Sequence, residues 1–277
     1  FTEDTELNQL GYGQEYQIKY TLEPVDATAS LLTWASDNPE VISVDKTGKL
    51  KVHTTKAASA VITASYGPVV QNVTVTVADG RFWYSLGNGL GNGLDNNWYL
   101  DGNNASVVSS DGNKTTVQMG SGYRGDLWLA RSGKGKIVNV TPADYRYFAI
   151  KVGFKSQLVP GKNKPNGCIK LEIFDDGIKK IGPEYFGTGG DANNRYEILG
   201  ASEISTTEPN VLYYDLQSKY KTVTPTDWNQ VFDLSQCKFV IADFPETAQT
   251  YDLYWIRSFK SIEELQAFVD SENNTNE

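Results

Sequence analysis

Apolar and polar residues alternate one by one along most of this chain, and the wider spacing of a helix shows in only one place. Val73, Val75 and Val77 are separated by Thr74 and Thr76, which gives a strand one buried face and one wetted face. Phe148, Ile150, Val152 and Phe154 alternate likewise, with Lys151 and Lys155 opposite. Ile169, Leu171 and Ile173 are opposed by Lys170 and Glu172. Strands are expected over 17–22, 31–35, 41–44, 49–52, 60–65 and 69–77. Further on they are expected over 125–131, 146–154, 168–174, 210–217, 238–244 and 251–259. Turns separate them: Asp45 to Gly48 closes a hairpin with Gly48 suited to positive φ, and Asp101-Gly102 and Asp111-Gly112 flank a strand near Ala105 to Ser109. Only the end reads as helix. Ser261 stands three residues before Glu264 as a capping box, and Leu265 and Phe268 follow at helical spacing. We read this helix as a lid on a sandwich end, and residues 1–10 as a polar linker or disordered start.

A length of 277 residues suggests two domains. The break falls at Asp79-Gly80, giving domains 1–79 and 80–277. A Gly/Asn stretch over 85–97 follows. Its glycines are spaced by two and no Lys-Ser/Thr pair follows, so it is not a phosphate loop; a long flexible loop is expected. A net charge of −9, with basic residues spread singly, argues against nucleic acid and anionic membrane as partners. No apolar run is long enough to span a bilayer. Phe1 is not a natural start, so an export signal or lipid anchor could have preceded it. Cys168 and Cys237 both flank apolar runs and read as buried thiols in preference to a disulfide.

The stretch Leu31 to Val77 contains Trp34-Ala-Ser, Asn38-Pro39, Val41 to Asp45 and Gly48, and it closely resembles the bacterial Ig-like domain of the second type. That resemblance implies a spacer on an exported protein, with Trp34 as a core plug and no ligand site nearby. The second half runs through Val211-Leu-Tyr-Tyr-Asp-Leu, Trp228 to Leu234, Cys237 to Phe244 and Tyr251-Asp-Leu-Tyr-Trp-Ile-Arg-Ser-Phe259. This order is similar to the end of a jelly-roll carbohydrate-binding module, and to surface glycan-binding proteins of Bacteroidetes glycan-uptake systems. The resemblance implies an all-β chain: an N-terminal Ig-like β-sandwich, then a C-terminal jelly-roll β-sandwich with a short C-terminal helix. It also implies a monomer at the extracellular or outer-membrane surface. There it would bind polysaccharide or oligosaccharide without catalysis, next to a TonB-dependent outer-membrane transporter.

Sugar recognition needs aromatic faces for the pyranose ring and polar forks for its hydroxyls. In Tyr123 to Arg131 the alternation puts Leu127 and Leu129 on one face and Arg124, Asp126 and Trp128 on the other. Trp128 is then either a sugar platform or packed under a loop. Trp98 and Tyr99 beside the glycine loop form a platform or an anchor for that loop. Tyr185, Asn193 and Arg195 lie on a long polar loop, either binding or simply a surface loop. Trp228 and Trp255 are assigned to the core.

Catalysis finds less support. A glycosidase needs two carboxylates at a fixed separation, and no motif selects such a pair; Glu172 with Asp243 is one arbitrary example. His53 is the only histidine and lies in the spacer-like half, which disfavours a Ser-His-Asp triad. Asp175-Asp176-Gly177 and Asp191-Ala-Asn193 offer oxygen ligands but not EF-hand spacing, so turn chemistry is preferred to calcium. No cofactor or metal is expected. The other functions to weigh are a glycoside hydrolase or lyase with an Ig-like accessory domain, and a protein-binding adhesin.

Overall fold

The computed structural model describes the chain except for residues 25–26, 92–97, 102–104, 121–124, 132–133, 136–137, 157–168, 176–178, 182–195, 218–231, 235, 242–248 and 276–277. It is all-β with one C-terminal helix. The strands are β1 (Leu10–Tyr12), β2 (Glu15–Gln17), β3 (Thr33–Ser36), β4 (Ile42–Val44), β5 (Lys49–Val52), β6 (Ala58–Tyr66), β7 (Val69–Ser85), β8 (Tyr99–Asp101), β9 (Ser106–Ser110), β10 (Thr115–Gln118), β11 (Gly125–Arg131), β12 (Lys134–Gly135), β13 (Val138–Val140), β14 (Tyr147–Phe154), β15 (Ile169–Asp175), β16 (Lys179–Ile181), β17 (Glu197–Ile198), β18 (Asn210–Asp215), β19 (Phe232–Leu234), β20 (Gln236–Ile241) and β21 (Thr250–Phe259). The helix α1 spans Ile262–Thr275. Two compact units divide at Tyr84/Ser85. The sequence put the divide at Asp79-Gly80, but β7 continues through Gly80, which takes φ 72°.

In the first unit β3, β6 and β7 pair antiparallel, β1 joins β7 in parallel, and β2, β5 and β4 form a small second sheet. The valine alternation works as read. Val75 and Val77 are buried with Ile62, Leu50 and Ile42 in one apolar cluster. The start of the chain differs from expectation. Leu7 and Leu10 join that same cluster, and buried Arg81 holds Glu6 at 2.7 Å. Two leucines in a polar stretch are enough to tie it down, because burying each apolar side chain is worth roughly 1.5–3 kcal/mol.

Trp34, expected as a buried plug, is only half-buried, because β3 pairs only with β6 among the described residues. Its ring packs on the cluster between Phe1 (6.0 Å) and Tyr20 (5.4 Å). Gly48 closes the Asp45 turn at φ 83°, and a Cβ there would come 2.6 Å from the Trp34 ring. The turn needs glycine for both reasons. Asp45 Oδ1 accepts from Thr47 Oγ1 and from the backbone N–H groups of Thr47 and Lys49, and these bonds hold its carboxyl below the ordinary range.

In the second unit one sheet runs β17, β18, β14, β21, β10, β9, every neighbouring pair antiparallel. The other runs β12, β11, β20, β15, β16, with β8 also beside β11. Phe148, Ile150, Phe154, Leu127, Leu129 and Leu171 are fully or nearly fully buried, and Phe239 of one sheet meets Tyr214 of the other at 6.0 Å. Cys237 lies in this core as a free thiol whose pKa burial pushes up; Cys168 lies outside the described residues.

The glycine stretch is not loose where it is described. Leu86 N–H donates to the Tyr254 carbonyl at 2.8 Å, and Gly112 N–H donates to the Gly87 carbonyl at 3.0 Å. A Cβ on Gly87 would come 2.2 Å from the Gly112 carbonyl oxygen, so glycine here serves close backbone approach. Ser261 Oγ caps the Glu264 N–H at 3.2 Å, while Glu264 reaches back to the Lys260 N–H at 2.7 Å, one residue earlier than a strict capping box. The helix does not close a sandwich end. It lies on the outer face of the first sheet, where Phe268 packs on Trp255 (5.5 Å) and Phe259 (5.7 Å). Among the described residues no helix is long and apolar enough to cross a membrane.

Candidate functional site

Register explains how the outer face of the β14–β21 sheet is built. Val152 pairs with Leu253 and Lys151 with Trp255, so Tyr254 is an extra residue opposite one step of β14. This is a β-bulge, which re-aims a side chain and breaks alternation. Unbroken alternation would send Tyr254 inward with Ile256. The bulge instead leaves it partly exposed, lining a groove of about 740 Å³. That volume lies within the range of about 300–1,000 Å³ usual for small-ligand sites.

The groove floor is Tyr254, Lys151 and Val211; one wall is α1, through Gln266, Val269, Asp270 and Asn273, and the other is the segment from Ile198 to Asn210. Asn210 pins that wall. Its side chain accepts from the Ser205 N–H at 2.8 Å and donates to the Ser205 carbonyl at 2.9 Å. Glu272 pins α1. It accepts from the Trp255 indole N–H at 3.1 Å, pairs with Lys151 at 3.1 Å and faces Arg257 at 3.9 Å. The Lys151 ammonium also sits 5.6 Å from the Tyr254 ring centroid. Two positions along the same face, Tyr213 and Tyr147 meet edge to face at 6.1 Å, with the Arg146–Asp215 pair beside them. Burial raises the pKa of Tyr254, Tyr213 and Tyr147 alike.

Asp252 braces the near end. It accepts from Lys114 Nζ at 2.7 Å and Thr116 Oγ1 at 2.6 Å, with Lys155 at 3.4 Å. Burial alone would raise this carboxyl, but those bonds outweigh it and hold the pKa below its ordinary value. A carboxyl depressed in the folded state contributes stability above its unfolded pKa of about 3.9, and the contribution is lost as pH falls through the lower folded value. Asp252→Asn is therefore expected to lower the melting temperature at neutral pH. The gap to wild type should close as pH is taken below about 4; thermal melts across that range check it.

The residues singled out from sequence fall differently. Asp126 and Trp128 do share the face opposite Leu127, Leu129 is an extra residue at a bulge and is buried, and register puts Tyr99 directly across from Trp128. Lys238 completes the row, 4.4 Å over the Trp128 ring and 3.3 Å from Asp126. The row is enclosed: Trp128 is 6% exposed, Asp126 7% and Lys238 9%. One indole face meets an ammonium, and the ring serves packing. Trp98 is 0% exposed and packs on Phe239 at 5.9 Å, a core residue and not a platform. One residue on, Tyr99 turns to the other face and is partly exposed. Arg124, Tyr185, Asn193 and Arg195 lie outside the described residues, as do Trp228, Asp176, Gly177 and Asp191. Trp255 is buried as expected, under α1 on the outer face.

The groove residues Tyr254, Lys151, Glu208, Gln266 and Asp270 were missed. The only sequence signal was Lys151 on the wet side of β14. Among the described residues no cluster of His, Cys, Asp and Glu is placed to hold a metal. A smaller cavity of about 430 Å³ in the first unit is lined largely by apolar groups, including Tyr20, Leu32, Tyr66 and Val69, and Trp34 does not line it.

An all-β chain with an open, ring-bearing polar groove is thus on view, and its family follows from the match of residues 89–265 to the domain of unknown function DUF4979. The chain belongs to that family. No curated protein matches it. Among solved structures it is similar to a carbohydrate-binding module of the β-sandwich superfamily, with 12% identity over 78% of this chain and 79% of that one and a TM-score of 0.32. It is also similar to a Bacteroides thetaiotaomicron protein provisionally described as a glycoside hydrolase, with 13% identity over 82% and 83% and a TM-score of 0.32. A third is a structure with xylogluco-oligosaccharide, with 12% identity over 92% of this chain and 56% of that one and a TM-score of 0.27. Likeness this loose says nothing of the ligand or activity of this chain.

Proposed function

We propose that this protein captures polysaccharide or oligosaccharide without cleaving it, through the groove between α1 and the 198–210 segment. The observation that carries the reading is Tyr254. A bulge on a rigid sheet turns its ring into a groove whose walls supply amides and carboxylates. A pyranose needs that combination, an aromatic face for its C–H surface and polar groups for its hydroxyls. Tyr213 and Tyr147 on the same face give a longer glycan further rings to run along. The first unit, with its Ig-like sequence pattern, serves as a spacer holding the second away from the cell surface. The sequence resemblance supports an outer-membrane location, a lipid anchor, a monomeric state and delivery to a TonB-dependent transporter.

Native gels cast with a panel of plant and host polysaccharides test this, paired with a reducing-sugar assay on the same panel. The expected outcome is retardation by at least one polysaccharide with no release of reducing ends. Reducing ends that disappear on changing one Asp or Glu of the second unit would make it an enzyme.

A further inference from the structure

We infer that the groove selects uncharged glycans and discriminates against those carrying uronate, sulfate or sialate groups. This rests on the glycan reading above and goes to the class of sugar. Recognition of an anionic sugar calls for a cation with donors left to give, most effectively an arginine fork. Among the described residues the groove lining holds no arginine. The one lysine among those residues, Lys151, has a side chain only 18% exposed and is already paired with Glu272 at 3.1 Å. At the near end Lys114 is committed to Asp252 at 2.7 Å, and Lys155 stands 3.4 Å from the same carboxylate. Against these stand Glu208 and Asp270, both exposed on opposite walls. Asp270 accepts from Gln266 Nε2 at 2.9 Å. A neutral glycan turns these carboxylates to advantage, because each can accept charge-assisted hydrogen bonds from hydroxyls. An anionic glycan brings a further negative charge to walls whose described residues carry two exposed carboxylates and, as cation, only the paired Lys151. The chain's net charge of −9 adds a long-range field of the same sign.

The test uses the full chain and calorimetric titration with neutral hexose oligosaccharides and with oligouronides of matched length. Binding of a neutral oligosaccharide at least tenfold tighter than its matched oligouronide supports the inference. The gap should narrow as salt is raised toward about 1 M, where the screening length falls to about 3 Å. It should narrow as well in the Glu208→Gln, Asp270→Asn double variant. Equal affinity for the two classes, or tighter binding of the oligouronide, overturns the selectivity and leaves glycan capture standing. Failure of every oligosaccharide of both classes removes the glycan reading and the inference with it.

Discussion

Trp128→Ala is expected to destabilise the second unit by about 3–5 kcal/mol, the usual cost of truncating a buried tryptophan. For a unit of this size that is a fall of roughly 6–20 °C in melting temperature. The ring is 6% exposed in the middle of β11, with Tyr99 across from it and the Lys238 ammonium over its face. Removing it leaves a cavity and strips Lys238 of its cation–π partner, while the Lys238–Asp126 pair remains enclosed. Urea unfolding of the variant checks this. Near wild-type stability combined with lost glycan binding would return Trp128 to the role of sugar platform.

Trp255→Ala should cost a similar amount, about 3–5 kcal/mol, and should abolish binding too. Trp255 is 3% exposed and is the surface on which Phe268 seats α1, while its indole N–H donates to Glu272. Without the ring the helix loses both its apolar seat and its polar anchor. One wall of the groove, carrying Gln266 and Asp270, goes with it. Trp255→Phe separates the two contributions. It keeps an aromatic seat and loses only the bond to the carboxylate, worth about 1.5–3 kcal/mol. The helical signal in circular dichroism and a glycan titration, measured on both variants, should fall in the order alanine below phenylalanine below wild type. An unchanged helix in the alanine variant would show that α1 is held by something else.

Where alternation is strict, the strands were readable from sequence. Phe148, Ile150, Val152 and Phe154 turn inward and Lys151 outward as their spacing requires, and Asp126 and Trp128 face away from Leu127. Ser261 and Gly48 mark a helix start and a turn for local chemical reasons, and local chemistry is written in the sequence. The groove was not readable. In Tyr251-Asp-Leu-Tyr-Trp-Ile the alternation gives way to four apolar or aromatic residues in a row, and such a run does not say which of them is the extra residue of a bulge. Nor does alternation say whether a sheet's outer face meets water. Trp128 lies on the expected face, and that face is enclosed. Trp98 and Tyr99 are neighbours pointing to opposite faces, so one is core and the other is not.

Glycan bound at the groove floor would lie on the Tyr254 ring, so wild type and Tyr254→Ala are to be titrated with the polysaccharide that retards the wild type, alongside a melting curve for each. Tyr254 is partly exposed and contributes little to the core, so the variant should melt close to wild type. Loss of one stacked ring is expected to cost about 1.5 kcal/mol, roughly a tenfold weaker affinity. Undiminished affinity in a folded Tyr254→Ala protein would contradict the groove as the site of capture.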